Sequence, residues 1–322
     1  MSDSLSAYVA RRVLAAVPVV VLVTFTVFGL VRLVPGGPAV AILGADADPA
    51  QLERLRRSMG LHQPIPVQYA AYLWDVAHLE LGRSYVTGQP VATAIAQRLP
   101  RTLWVTAAGF VVSLSIALPA GTIAALRRGT GWDYAGLTFG LLGVSIPNFY
   151  LGVVLLLVFG VWLDLFPVVG YVSPLRAPVA GVRSLVLPGI TLGTAMAAVV
   201  TRLLRAELLD ELGSLYLDAV RMKGVSEARV LWHALKNAFV PVLTVVGMQF
   251  GYLLGGSVVI EAVFSIPGMG RLLVDAVTSG DYRTLQGVVL VYTILFVLVN
   301  LVVDVAYRAL NPRLGARGGR DG

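Results

Sequence analysis

The chain has no cysteine, three histidines and two lysines, and each scarcity removes a class of chemistry. Without cysteine there is no disulfide, zinc–thiolate centre, iron–sulfur cluster or thiol nucleophile. His62, His78 and His233 lie far apart, and none belongs to a His-x-x-x-His or Glu-x-x-His pair, so the spacing spells out no helical metal site. A Walker-type phosphate loop needs Gly-Lys-Ser/Thr. Neither Lys223 nor Lys236 follows a glycine, so the chain is not itself an ATPase of that type. Charge is scarce too, at 13% of residues against about 25% in an ordinary soluble domain.

What the 322 residues do have is apolar surface, 57% of the composition with a mean hydropathy of +0.79, gathered into long blocks. Six stretches are free of charge over the roughly 17–25 residues that a bilayer-spanning helix needs. They are Val13–Val31, Thr102–Leu126, Tyr134–Leu163, Ser184–Thr201, Ala238–Ile260 and Leu285–Val303. The expected fold is therefore all-α and polytopic, with about six transmembrane helices. The third block is long enough to tilt or to include a re-entrant piece, and the fourth is short and contains Pro188-Gly189. Val13–Val31 exceeds the apolar core of a secretory signal, about 7–15 residues, so it reads as an uncleaved anchor.

The net charge of +7 is explained better by orientation than by nucleic acid, because many basic residues lie in short stretches between apolar blocks. With six spans, Arg11-Arg12, Arg127-Arg128, the stretch Arg202 to Lys236, and Arg308, Arg313, Arg317 and Arg320 fall on one side, the expected cytoplasmic side. Arg176, Arg183, Arg271 and Arg283 oppose that bias. The expected organisation is a cytoplasmic N-terminus (1–12), a first span (13–34), an extracytoplasmic segment (35–101), a five-helix core (102–310) enclosing a cytoplasmic loop (206–237), and a cytoplasmic tail (311–322). In the outer segment Asp48-Pro49 opens a helix over Gln51–Met59, with Gly60, Pro64 and Pro66 ending it. The inner segment reads as short amphipathic helices broken at Gly213 and Gly224, with Ser226 capping the next helix.

A loop of that length needs a reason to exist, and docking a partner protein is one. Within it, Asp218, Ala219, Val220 and Gly224 stand at the spacing of the Glu-Ala-Ala-x-x-x-Gly signature, and Arg221 to Gly224 has the form Arg-x-Lys-Gly. Here the chain resembles the membrane subunits of ABC importers, in the dipeptide/oligopeptide/nickel permease family. The signature's later Ile-x-Leu-Pro places hold Ala234, Lys236 and Asn237, which is a departure, with Pro241 four residues late. The resemblance extends along nearly the whole chain. It includes Arg32-Leu33-Val34-Pro35-Gly36-Gly37-Pro38-Ala39, Gln63-Pro64-Ile65-Pro66-Val67-Gln68-Tyr69, Leu81-Gly82-Arg83-Ser84, Ser145-Ile146-Pro147-Asn148-Phe149, Glu261 to Arg271, and Asn311-Pro312-Arg313.

The resemblance implies an ABC importer type I transmembrane-domain fold in a bacterial plasma membrane. It also implies a homologous second permease, two cytoplasmic ATPase subunits that bind the ATP, and an extracytoplasmic solute-binding protein. The chain itself would carry no cofactor and no catalytic residue. Asp218, Ala219, Arg221, Lys223 and Gly224 would form the ATPase-coupling site.

Asn148 and Gln249 are polar residues inside apolar blocks and are candidates for the translocation path, or for bonds to a neighbouring helix. Glu261 ends the fifth block, where it would line a gate or pair with Arg271 or Arg283. Asp304 and Arg308, four apart, are placed to pair on one helical face. Pro119, Pro147 and Pro188 could kink their helices. The rival reading, a secondary transporter, calls for inverted repeats and acids at mid-membrane, and neither is seen.

Overall fold

The structure is a computed structural model that describes residues 5–33, 36–44 and 46–310; apart from one isolated bridge between Arg83 and Pro90, its regular structure there is helical. The side chain of Arg308, residues 34 and 35, and residues 311–313 lie outside the described part, and with them the expected Asp304–Arg308 pair and the Asn311-Pro312-Arg313 motif.

Among the described residues, five helices are long and apolar enough to cross a membrane: α1 (Leu5–Arg32), α5 (Val91–Leu126), α8 (Pro178–Leu212), α10 (Glu227–Val263) and α12 (Tyr282–Leu310). The physical reason is the one that rules lipid-exposed chains in general. A helix satisfies its backbone hydrogen bonds within itself, so no other open structure survives where water is missing. The third apolar block is divided into α6 (Gly131–Ser145) and α7 (Asn148–Leu155), the latter continuing as a π-helical segment, Leu156–Trp162. The two legs are bent by 103° and give a sixth crossing only if the pair is counted as one span. Proline makes the break. Pro147 lacks an N–H and disfavours helical backbone at the residue before it, and both Ile146 (ψ 122°) and Pro147 (ψ 133°) are extended. Pro119 and Pro188 break nothing, since α5 and α8 each continue past them. α8 also extends beyond the charge-free stretch at both ends, taking in Arg183, Arg202 and Arg205.

The short helices follow local chemistry. In α3 (Pro49–Ser58) the Asp48 carboxylate accepts from the Ala50 N–H at 3.1 Å, an N-cap followed by proline at N1. Pro64 and Pro66, expected only to end that helix, also start another: Pro64 precedes α4 (Ile65–Ala77) and Pro66 lies in its first turn, where a missing N–H costs nothing. α2 (Gly37–Leu43), α9 (Leu215–Met222) and α11 (Met269–Thr278) complete the set.

The chain divides into two compact units. One comprises Ala10–Thr102 and Pro267–Val297, with a small core of Val91, Ala94, Ile95, Met269, Leu272 and Val288. The other comprises Leu103–Ile266 with the described residues before Ala10 and after Val297, and its core is built on α8, where Leu187, Leu192, Met196, Val200, Leu204 and Leu208 are buried, and on α10, which adds Val230, Ala234, Val242 and Ile260. Close approach there depends on small residues. A Cβ on Gly193 would stand 2.4 Å from the Gly109 carbonyl oxygen of α5, and one on Gly143 of α6 would stand 2.8 Å from the Cβ of Ala198. By contrast a Cβ on Gly255, in the middle of α10, would meet nothing within 4 Å.

These two glycines, at 193 and 255, should therefore respond oppositely to alanine. Gly193→Ala is expected to destabilise the detergent-solubilised protein by about 1–3 kcal/mol through overpacking, and Gly255→Ala to be neutral or to stabilise by about 0.5–1 kcal/mol. Unfolding midpoints followed by tryptophan fluorescence check both, and equal shifts would refute the packing argument.

Candidate coupling helix and translocation-path residues

α8 stops at Leu212, and after Gly213 and Ser214 the chain forms the two-turn helix α9. Asp218 lies in its first turn and Arg221 in its last, the arrangement that opposes the helix dipole at both ends. Arg221 donates to Asp218 at 3.0 Å and lies 3.6 Å from Glu227, which ties α9 to the first turn of α10. Leu217 is fully buried and joins the core of the unit, which seats α9 against α10. The other side carries no cover: Leu215 is 86% exposed and Met222 83%, with Tyr216, Ala219 and Lys223 also exposed.

Gly224 has φ +74°, in the left-handed region that a side chain disfavours, and space around it is open. The glycine is thus required by the backbone, not by crowding. Ser226 stands at the N-cap position of α10, although its hydroxyl makes no capping bond. Asn237, which occupies the signature's proline place, donates to Glu211 at 2.7 Å and joins α10 to the last turn of α8. The expected loop 206–237 is therefore the end of α8, the whole of α9 and the start of α10, with short turns between them.

The path candidates are not gathered at one depth. Asn148 is the first residue of α7, half-buried at the 103° break. Gln249 is half-buried on α10, and Glu261 is 0% exposed on the same helix. Twelve residues of helix separate the two, about 18 Å along the axis and about 120° around it. In this conformation Glu261 is shielded from solvent.

Sequence reasoning missed the principal ion pair of this unit. Asp133, at the start of α6 and 3% exposed, is gripped by Arg205 of α8 through two bonds, 2.5 Å from Nε and 2.8 Å from Nη2. The Gly129 N–H donates to the same carboxylate at 2.9 Å. A bidentate guanidinium–carboxylate pair of this kind is strong and directional, and it clamps the first turn of α6 to α8 about two turns before α8 ends. The partners are 72 residues apart, and nothing local signals the pairing.

Comparison with known proteins adds to this geometry. Residues 117–316 match the family model described as binding-protein-dependent transport system inner membrane component. Residues 5–106 match the model of the N-terminal part of a binding-protein-dependent transport system membrane component. The chain is 41% identical over 311 residues to a putative peptide transport system permease protein of Brucella suis, covering 96% of this chain and 99% of that one. It is 42% identical over 308 residues to the glutathione transport system permease protein GsiC of Escherichia coli (strain K12), covering 95% and 98%. Among solved structures, a chain of the MetNI methionine ABC transporter in an inward-facing conformation matches with a TM-score of 0.55 and 20% identity, over 69% of this chain and 98% of that one. At that identity the likeness is one of fold.

Removing one partner of this part-buried pair leaves the other charge uncompensated. Arg205→Gln is expected to cost about 1–3 kcal/mol of stability, read as a lowered unfolding midpoint in detergent. The exchanged pair Asp133→Arg with Arg205→Asp should recover part of it, and a single variant as stable as the parent would contradict the assignment.

Proposed function

This chain belongs to the family of binding-protein-dependent transport system inner membrane components, and from that membership we propose that it forms half of the translocation path of an ATP-driven importer for peptides or related small solutes such as glutathione. The peptide and glutathione permeases to which it is similar along nearly its whole length support that cargo class. Its partners are a homologous second permease, two cytoplasmic ATPase subunits and an extracytoplasmic solute-binding protein. The chain takes no part in ATP chemistry, in keeping with a sequence in which no lysine follows a glycine.

The observation that carries the mechanism is α9. It is a two-turn helix seated by Leu217 and held by Arg221, and it presents Leu215, Tyr216, Ala219 and Met222 outward beside the exposed Lys223. An exposed apolar face flanked by charge is suited to a groove on a partner protein. Asp218, Ala219, Arg221, Lys223 and Gly224 belong to this docking element, on the cytoplasmic side by the bias of Arg11-Arg12, Arg127-Arg128 and the basic stretch Arg202 to Lys236. The N- and C-termini lie on that side as well.

A push on α9 reaches α8 through the two-residue turn and α10 through Arg221–Glu227, and it passes from α8 to α6 through Arg205–Asp133. Closure of the ATPases on bound ATP thereby moves the helices that line the path. Asn148 and Gln249 are the half-buried polar groups that solute would meet, and Glu261 would take part only in a state that uncovers it.

Two experiments test the reading. A tagged copy purified from its native membrane in mild detergent should bring down a second multi-span permease and one or two Walker-type ATPases; recovery of the chain alone, in intact preparations, counts against it. Gly224→Pro forces φ towards −65° where the chain needs +74°, and Ala219→Asp puts a second carboxylate beside Asp218 on the docking face. Each variant should insert normally yet lose labelled-peptide uptake about tenfold or more, as expected when upwards of ~1.4 kcal/mol of coupling is lost. Normal uptake in both would sink the role given to α9.

A further inference from the structure

The unit formed by Ala10–Thr102 and Pro267–Val297 contains a cavity of about 270 Å³, bordered by Phe28 and Arg32 of α1, Tyr72 and Asp75 of α4, and Arg283 of α12. Its polar groups are unevenly matched. Arg283 and Asp75 satisfy one another at 2.8 Å. Among the described residues Arg32 has no such partner: its Nη1 donates to the Phe28 carbonyl at 2.8 Å and its Nη2 to the side-chain oxygen of Gln68, both neutral acceptors. The face of its guanidinium rests on the Phe28 ring, 3.3 Å from the centroid. Among the described residues its Nε is buried with no acceptor. A guanidinium has five N–H donors in one plane; described residues engage two of them here, and Nε is left over.

Tyr72 presents the same imbalance. The residue is 7% exposed and, among the described residues, its hydroxyl is buried without a partner. Burial pushes the phenol up to about 12, against the opposing pull of Arg283, so at neutral pH it keeps its proton and remains a donor. Among the described residues a cation without a counter-ion and a phenol without an acceptor border one cavity, and each is costly if left so.

We propose that this cavity is a binding site for a small oxyanion, a phosphate or carboxylate group carried by a free solute or by a lipid headgroup. Such a group accepts from the unpaired Nε of Arg32 and from the Tyr72 hydroxyl once a small side-chain shift uncovers these buried donors to the cavity. The volume lies just below the roughly 300–1,000 Å³ of small-molecule pockets, which admits an anionic group with a short substituent and no acyl chain. Arg32 also ends the apolar run of α1, the depth at which headgroup phosphates lie, so a lipid is a natural source. The occupied site joins α1, α4 and α12 through one ligand. It uses no residue of α9 or of the path, so it stands apart from the transport reading.

The test uses the full chain in neutral detergent, with unfolding followed by the fluorescence of its five tryptophans. Inorganic phosphate and acetate are titrated against chloride at constant ionic strength, and phosphatidylglycerol is added in mixed micelles. A saturable rise in midpoint is expected with at least one of these probes. Tyr72→Phe should weaken the apparent affinity about fivefold, as loss of one hydrogen bond does. Arg32→Gln should abolish the concentration dependence, and Arg32→Lys, which keeps the charge and loses the planar fork, should restore only part of it. A rise with phosphatidylglycerol alone identifies a lipid headgroup, and a rise with phosphate or acetate identifies a free anion. No saturable rise with any probe, or an unchanged one in both Arg32→Gln and Tyr72→Phe, overturns the site and leaves the cavity to water.

Discussion

Along α8 a neighbouring helix repeatedly comes close enough to touch backbone. Gly189 and Gly193 admit α5, while Ala198 and Arg202 lie against Gly143 and Gly140 of α6, and a Cβ on any of the four glycines would fall within about 3.1 Å of another atom. Leu187, Leu192, Val200 and Leu204 then fill the space that remains. Lipid gives apolar side chains no reason to leave it for one another, so association rests on dispersion between closely fitted surfaces and on a few polar bonds. α8 is accordingly the most buried of the long helices, and α1 and α12 the most exposed.

The polar bonds are placed where packing alone would leave freedom. Asp133–Arg205 ties the break-containing α6–α7 pair to α8, and Glu211–Asn237 ties α8 to α10 on either side of α9. The coupling role proposed for α9 requires such bracing, so that motion passes through the helix and is not absorbed. The departure of Asn237 from the family's proline is also accounted for: the position makes a cross-helix hydrogen bond that proline could not supply.

Other elements were half-visible. Proline at 147 divides an apolar block while prolines at 119 and 188 do not, although all three sit in similar runs. The residue type limits the local backbone, and whether a helix resumes in the same direction depends on what packs beside it. The proline pair at 64 and 66 ends one helix and begins the next for the same reason, since the residue is tolerated in a first turn and not in a helix interior. Glu261, marked in sequence as a charge beside a membrane run, is fully enclosed, which a linear pattern has no means of expressing.

Apolar run length, the scarcity of charge, the missing cysteines and the spacing from Asp218 to Gly224 determined by themselves that this is an all-helical membrane protein with a short, glycine-terminated helix between two long ones. Those signals are local: they arise from hydration, backbone geometry and neighbours within a few residues. The tertiary structure alone decided that Arg205 meets Asp133 across 72 residues, that Glu261 is enclosed, and that Arg32 and Tyr72 border one cavity. Each depends on contacts between distant segments, and helical periodicity specifies which face a residue occupies without specifying which helix lies against it.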